Sequence, residues 1–242
     1  MNTRYTTQFK IIKHSLGIKH CISIRFANRK SDRHTRYRDT ACTALARSLL
    51  RRVLTYIDRN EGQLCPGGNF FLGITRAPKK EIYDTYAKDE KVFSNQAACR
   101  QFLNDLPPYP RQANKRFVLF TPLDRENQRP EVVTLLATPA QTGRILGLSV
   151  FKKMSYPTLI PALSTCASIY TPLTTKNIHI NFIDYYDRYY QGKQNGKLLW
   201  KDSQMIVAMP YAIFQKIVEY IPRSAHGNFK PKLKPQKVDP LH

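Results

Sequence analysis

Two stretches of the sequence repeat one plan: an apolar segment, a proline, and then a segment with the apolar spacing of an amphipathic helix. They are VVTLLATPAQTGRILGL, which begins at Val132, and SQMIVAMPYAIFQKIV, which begins at Ser203. Short apolar runs are typical of buried strands, and a proline is well tolerated in the first turn of a helix. Each stretch therefore predicts a strand that leads directly into a helix.

Other segments predict further strands and helices that alternate along the chain. In HCISIRF, which begins at His20, Ile22, Ile24 and Phe26 lie on one face of a predicted strand and Cys21 lies on the other. Further strands are predicted in VLTYI, RFVLFTPL, TLIPAL and NIHINFID, and helices are predicted to begin at Asp39 or Thr40, Pro66, Ser94, Pro139 and the segment STCASIYTPL. The pattern predicts an α+β fold with helices packed on a mixed β-sheet and strand-proline-helix units in the C-terminal half.

The segment PPYP, at residues 107–110, is a rigid spacer and the best candidate for an internal boundary. We expect an N-terminal part, 1–106, that contains Cys42 and Cys65. Residues 107–222 form a C-terminal part of the same domain, and 223–242 form a basic tail with regularly spaced prolines.

Positive charge dominates the composition, with 39 Lys and Arg against 17 Asp and Glu and a net charge of +22. Residues 1–60 hold 14 of the basic and 3 of the acidic residues, a net +11. Such a region attracts phosphate groups and anionic lipid heads. One hypothesis is therefore a nucleic-acid-associated protein that uses Arg25, Arg29, Lys30, Arg33, Arg36 and the tail lysines. No recognition motif of a known RNA or DNA module accompanies the charge, and a generally basic proteome also explains it.

Several classes of protein are excluded by the motifs that the sequence lacks. It contains no G-x-x-x-x-G-K-[ST] phosphate loop, no G-x-G-x-x-G after a strand, no H-E-x-x-H and no C-x-x-C pair. It also has no apolar run long enough to span a membrane and no apolar core of a secretory signal. Five cysteines in a chain of 242 residues do not resemble a disulfide framework. We expect a cytoplasmic protein with reduced thiols.

Three cysteines are predicted at the beginnings of helices. Cys42 falls in a first helical turn, Cys65 precedes Pro66 at a cap position, and Cys166 follows Ser164 and Thr165. The partial positive charge of a helix N-terminus lowers the pKa of a thiol, and thiolates bind soft metals, hold iron–sulfur clusters and attack electrophiles. The alternative is that these cysteines only pack or cap. Cys21 and Cys99 are assigned to the core or the surface. His179 is a candidate fourth ligand, and the alternative is that it lies at the surface or is satisfied by a hydrogen bond.

Residues beside these cysteines complete a predicted pocket. Arg38 and Asp39 precede Cys42, while Gly67 and Gly68 follow Cys65 and let a ligand approach backbone N–H groups because they lack a Cβ atom. The later segment DYYDRYY offers Asp184, Asp187 and Arg188 among four tyrosines. This segment indicates a functional loop, a subunit interface or a cover for the end of the sheet.

The segments RDTACTALAR, CPGGNFFLGI, RFVLFTPL, PEVVTLLATPAQ and STCASIYTPL resemble domain of unknown function family 169, also called ArCR, of archaea and anaerobic bacteria. The resemblance implies that Cys42, Cys65 and Cys166 lie in the recurring motifs of the family, whereas Cys21 and Cys99 lie outside them. The family has no established activity.

The function predicted from all of these features is the binding of a small ligand, a metal or an iron–sulfur cluster at a pocket lined by Cys42, Cys65 and Cys166. Two alternatives stay open. One is the nucleic-acid-associated protein, and the other is an enzyme with a cysteine nucleophile, Cys65, and no metal. The substrate, the reaction and the oligomeric state are not predicted.

Overall fold

The computed structural model describes residues 3–62, 65–75, 80–105, 115–152, 158–159, 165–183, 187–191, 193–194, 197–198 and 200–228. The helices are α1 (Arg4–Leu16), α2 (Ala41–Arg51), α3 (Pro66–Phe71), α4 (Lys80–Asp84), α5 (Gln96–Asp105), α6 (Pro139–Ser149), α7 (Thr171–Thr175) and α8 (Tyr211–Tyr220). The strands are β1 (His20–Ala27), β2 (Thr35–Arg36), β3 (Thr55–Asp58), β4 (Phe117–Pro122), β5 (Val132–Ala137), β6 (Thr158–Leu159), β7 (His179–Asn181), β8 (Lys193–Gln194), β9 (Lys197–Leu198) and β10 (Met205–Pro210). Short 3₁₀ turns span Leu123–Arg125, Thr165–Ile169 and Ile221–Arg223, and π-helical turns span Thr85–Asp89 and Asp187–Gln191.

Eight of these strands form one mixed sheet in the order β2-β3-β4-β1-β5-β10-β7-β6. The pairs β2–β3 and β6–β7 are parallel, and the five pairs between them are antiparallel. The α+β prediction of helices on a mixed sheet is confirmed. Strands from both sides of the predicted 107–110 boundary pair in this sheet, while the boundary itself and residues 229–242 of the predicted tail lie outside the described residues.

Helices cover both faces of the sheet. One face, which we call the site face, carries Ile22, Ile24 and Phe120, and these residues share a core with α2, α3 and α5. The opposite face carries Cys21 and Val207 and shares a core with α1, α6 and α8. The predicted division of β1 into two faces is therefore confirmed. Cys21 and Cys99 are both buried in these cores.

Helix caps explain where several helices begin. Thr40 caps α2 through a hydrogen bond from the Thr43 backbone N–H, as predicted. Thr138 caps α6 in a reciprocal capping box with Gln141, with Pro139 in the first turn. The prediction for α5 is wrong by one residue, because Asn95 and not Ser94 accepts the hydrogen bond from a first-turn N–H. The Asn carboxamide competes with the Ser hydroxyl for the same backbone donors.

No helix in the described part of the chain is long and apolar enough to cross a membrane.

Candidate thiol site

Cys42 lies in the first turn of α2, directly behind the cap. Its Sγ atom is 3.1 Å from the Oγ1 atom of Thr40, the residue that caps the helix. The apolar side of α2 packs against the sheet, and this packing buries the first turn of the helix. Cys42 is therefore only 7% exposed. The thiol is therefore inside the protein.

Cys65 caps α3 with its own thiol, since its Sγ atom accepts a hydrogen bond from the Gly68 backbone N–H at 3.3 Å. Unlike Cys42, Cys65 is half-buried. A Cβ atom added to Gly68 would lie 3.7 Å from the backbone N atom of Ala41 and 3.7 Å from the Cβ atom of Cys65. The beginnings of α2 and α3 are thus side by side, which brings Cys42 and Cys65 to the same region.

The 3₁₀ turn Thr165–Ile169 completes the site from the second half of the chain. It packs against both α2 and α3 and carries Cys166, which is buried. The carboxylate of Asp187, at the start of a π-helical turn, accepts a hydrogen bond from the Thr165 backbone N–H at 3.2 Å. Four separate segments therefore meet around the cysteines.

Burial controls the acidity of both thiols. It raises the pKa of Cys42 well above its ordinary value, and the negative charge of Asp187 raises this pKa further, against a smaller opposite effect of the Thr40 hydroxyl. Burial also raises the pKa of Cys65, although the hydrogen bond from the Gly68 N–H opposes it. The prediction that the helix N-termini lower these pKa values is wrong for Cys42 and Cys65, because desolvation of the thiolate outweighs the helix-end effect.

Gly67 is buried beside the phenol of Tyr86. A Cβ atom on Gly67 would lie 2.3 Å from the Tyr86 hydroxyl oxygen and 3.6 Å from Cys65 Sγ. Because Gly67 has no Cβ atom, the Tyr86 phenol can pack closely against it. The phenol therefore lies beside Cys65, the cap of α3. Gly68 permits the contact between α2 and α3 described above.

Arg38 and Asp39 lie at the surface just before α2. The Arg38 side chain is 71% exposed and approaches the Glu61 carboxylate at 3.6 Å, and Asp39 accepts a hydrogen bond of 3.4 Å from the Tyr37 hydroxyl. Their described contacts are thus with neighbouring loop residues.

His179 is buried on β7, although a polar position opposite Ile178 and Ile180 indicates exposure in the sequence pattern. It is 1% exposed, and its Nε2 atom is hydrogen-bonded to the Thr175 Oγ1 atom. Burial lowers the pKa of His179 to about 4. Within the described residues, no group of three or more His, Cys, Asp or Glu side chains is arranged to hold a metal ion.

Sequence reasoning did not single out Asp187 or Tyr86 as part of the cysteine site. Asp187 belongs to DYYDRYY, of which residues 184–186 lie outside the described residues. The neighbouring Arg188 is buried and donates hydrogen bonds to the backbone carbonyls of Phe182, Lys201 and Gln204, which holds the π-helical turn in position. In the sequence, Asp187 could be recognised only as a carboxylate among aromatic residues, which does not indicate the cysteine site.

The predicted basic residues have different surroundings. Arg25 pairs with the buried carboxylate of Glu126 at 3.5 Å, and Arg36 pairs with Glu61. The side chains of Arg29, Lys30 and Arg33, in the loop after β1, are exposed.

A family model described as domain of unknown function family 169, uncharacterised ArCR, matches residues 12–220. The chain belongs to this family. The matched region includes Cys42, Cys65, Cys166 and Asp187. No curated protein and no solved structure shows a significant match to the chain.

Proposed function

We propose that the protein is a thiol–disulfide oxidoreductase in which Cys42 and Cys65 exchange two electrons with a disulfide substrate. One observation carries the proposal: the beginnings of α2 and α3 lie side by side, so that Cys65 is close enough to raise the pKa of Cys42, and the Asp187 carboxylate raises the pKa of both thiols. Two neighbouring thiols and a proton acceptor are the groups that dithiol exchange requires.

The two thiols have unequal access to solvent, which supports different roles. Cys65 is half-buried and accepts the Gly68 N–H, a contact that stabilises negative charge on sulfur. Cys42 is 7% exposed and lies deeper. Cys65 therefore attacks the substrate, and Cys42 resolves the mixed disulfide.

The Cys65 thiolate attacks one sulfur of the substrate disulfide and forms a mixed disulfide, and the other substrate sulfur leaves as a thiolate that takes up a proton. Cys42 then loses its proton and attacks the Cys65 sulfur, which releases the second substrate sulfur as a thiolate. The two cysteines are oxidised to a disulfide, and the substrate disulfide is reduced to two thiols. A second dithiol reverses the exchange and restores the protein.

Asp187 is the proton acceptor for Cys42 in this sequence. A thiol with a pKa raised by burial is a weak acid, so its attack needs a base in hydrogen-bond contact. The influences on the Cys42 pKa include a hydrogen bond with the Asp187 side chain, in addition to burial and the charge of this carboxylate. The hydrogen bond from the Thr165 N–H keeps Asp187 oriented.

The test is oxidation of the reduced protein with diamide, followed by peptide mapping without reduction. We expect a disulfide that joins Cys42 to Cys65, faster alkylation of Cys65 than of Cys42 by iodoacetamide in the reduced protein, and loss of the disulfide in Cys65→Ser. Cys99→Ser is the matched control, since Cys99 is buried on the same face and outside the pair. A disulfide with a different partner, or none at all, contradicts the proposal.

Metal or iron–sulfur binding by Cys42, Cys65 and Cys166 is a second proposal. Soft sulfur donors on elements that contact one another support it, although the side chains of the described residues are not arranged as a set of three metal ligands. Elemental analysis and an absorption spectrum of protein purified without oxygen test it. Stoichiometric iron or zinc that is lost in Cys65→Ser supports the metal site, while metal-free protein that forms the Cys42–Cys65 disulfide supports dithiol exchange alone.

A nucleic-acid-associated role is a third proposal, supported by the exposed side chains of Arg29, Lys30 and Arg33. It predicts retention on a nucleic-acid column that falls steeply with salt and that weakens in the triple Gln variant of these residues. The matched control is Arg36→Gln, because Arg36 is already paired with Glu61. Absence of retention at low salt contradicts this role.

A further inference from the structure

A row of polar side chains interrupts the apolar site face of the sheet. The neighbours of Thr134 on β5, Val133 and Leu135, face the opposite core, so Thr134 faces the site side. The same alternation places His179 of β7 on this side. In the sheet register, Thr134 and His179 are both paired with Ala208 of β10, from its two sides.

The 3₁₀ turn Thr165–Ile169 covers this row, since it packs on β5, β10 and β7. Residues three apart share one side of a 3₁₀ turn, and Thr165 and Ser168 have this spacing. Two hydroxyl groups of the turn and two polar groups of the sheet are thus brought together at one internal interface. We call Thr134, Thr165, Ser168 and His179 the polar layer.

Each member of the polar layer has a buried polar atom that has no hydrogen-bond partner among the described residues. All four residues are at most 1% exposed. The unpaired atoms are the hydroxyl oxygens of Thr134, Thr165 and Ser168 and the Nδ1 atom of His179. Buried polar atoms in folded proteins almost always have a partner, either in the protein or in a bound molecule. Four such atoms on elements in mutual contact therefore indicate a binding site.

The hydrogen bonds around His179 determine which kind of group can bind to its Nδ1 atom. Thr175 donates its hydroxyl hydrogen to the Thr171 carbonyl oxygen at 3.0 Å, so the contact between Thr175 Oγ1 and His179 Nε2 is donated by the imidazole. The Nδ1 atom consequently has no hydrogen and is an acceptor. Because burial lowers the pKa of His179 to about 4, the ring is neutral at pH 7. A partner of Nδ1 must supply an N–H or O–H group.

We propose that the polar layer binds a small uncharged ligand group that both donates and accepts hydrogen bonds, namely a carboxamide or a hydroxyl group. Its N–H or O–H meets His179 Nδ1, and its oxygen meets the hydroxyls of Thr134, Thr165 or Ser168. Ala208, which lies between Thr134 and His179 in the sheet register, has a small side chain. The inference is independent of the thiol chemistry proposed above.

The experiment titrates the whole reduced protein with acetamide, the smallest stable carboxamide with both functions, and follows the ¹⁵N signal of His179 Nδ1 and the thermal unfolding temperature. We expect a saturable shift of the Nδ1 signal and a higher unfolding temperature. Acetate has a similar shape but carries a charge, so it produces neither effect. A signal that does not respond to acetamide, or an equal response to acetate, overturns the proposal and leaves ordered water as the occupant.

Variants of near-equal shape locate the binding. Thr134→Val and Ser168→Ala each weaken acetamide binding about tenfold, as expected for the loss of one buried hydrogen bond. Thr142→Val is the control, because Thr142 is also buried with an unpaired hydroxyl but lies on α6 at the opposite face. Equal affinity in all three variants overturns the proposal. Cys65→Ser abolishes disulfide exchange and leaves acetamide binding unchanged, which separates the two inferences.

Discussion

The carboxylate of Asp187 accepts a hydrogen bond from the Thr165 backbone N–H at 3.2 Å, and it adds to burial in raising the pKa of the Cys42 thiol. One side chain thus joins the two later segments of the site and acts on a thiol from the first quarter of the chain. The arrangement makes the acidity of Cys42 depend on a residue 145 positions later, from 42 to 187.

The first prediction concerns Asp187→Asn. The amide retains an acceptor for the Thr165 N–H but removes the negative charge, so we expect the pKa of Cys42 to fall. The measurement is the pH dependence of Cys42 alkylation, resolved by peptide mass spectrometry. Cys21 is the internal control, since it is buried on the opposite face beside Asp124. A higher pKa of Cys42 in the variant than in the parent protein contradicts this prediction.

The second prediction concerns pH and His179. Its pKa is about 4 in the folded protein and 6.5 in a model compound, so the unfolded chain binds the proton first. Stability is therefore full above pH 6.5 and falls as the pH drops towards 4, by about 3 kcal/mol for this group. Urea unfolding at several pH values checks it, and His179→Gln reduces the slope in this window. Part of the slope is retained in this variant, because burial also lowers the pKa of His34 to about 4. His14→Gln, at an exposed position, keeps the slope of the parent protein.

The third prediction concerns the contact between Gly67 and Tyr86. Gly67→Ala places a Cβ atom 2.3 Å from the phenol oxygen, so we expect a loss of about 1–3 kcal/mol in the free energy of unfolding. Tyr86→Phe removes that oxygen and restores part of the loss in the double variant, because the ring carbon Cζ still lies 3.1 Å from the added Cβ atom. The double-mutant cycle, measured by chemical denaturation, gives the coupling. Additive effects of the two substitutions are incompatible with the contact.

The fourth prediction uses a glycine with free space around it. Gly143 lies inside α6, and no described atom outside the helix's own backbone lies within 4 Å of a Cβ atom added there. Gly143→Ala should raise the free energy of unfolding by about 0.5–1 kcal/mol, because alanine favours the helix and restricts the unfolded chain. A loss of stability in the same denaturation assay is the opposite result. The contrast with Gly67→Ala separates helix propensity from packing.

Local chemistry explains which parts of the fold were predictable. A helix cap bonds to backbone groups within three residues of itself, so the sequence alone can indicate it. This holds for Thr40, for Cys65 with Pro66, and for Thr138 with Gln141. The error at α5, Ser94 for Asn95, arose where two capping residues are adjacent. Strand alternation likewise predicted the two faces of β1.

The composition of the site depends on distant neighbours and was only partly predictable. A helix N-terminus is visible in the sequence, but the burial that reverses its effect on Cys42 and Cys65 comes from packing against the 3₁₀ turn and the sheet. His179 has a polar position on β7, yet the 3₁₀ turn Thr165–Ile169 packs on this strand and His179 is buried. Asp187 and Tyr86 join the site through tertiary contacts, which local sequence patterns do not indicate.

The place of β1 in the sheet has a consequence for biosynthesis. This strand is made early, but its two neighbours, β4 and β5, follow about a hundred residues later, as in the pair Ile22–Pro122. A ribosome must therefore synthesise more than half of the polypeptide before the hydrogen bonds of β1 with β4 and β5 can form. During that interval Cys42 and Cys65 are not yet buried, so the nascent chain exposes both thiols to oxidants.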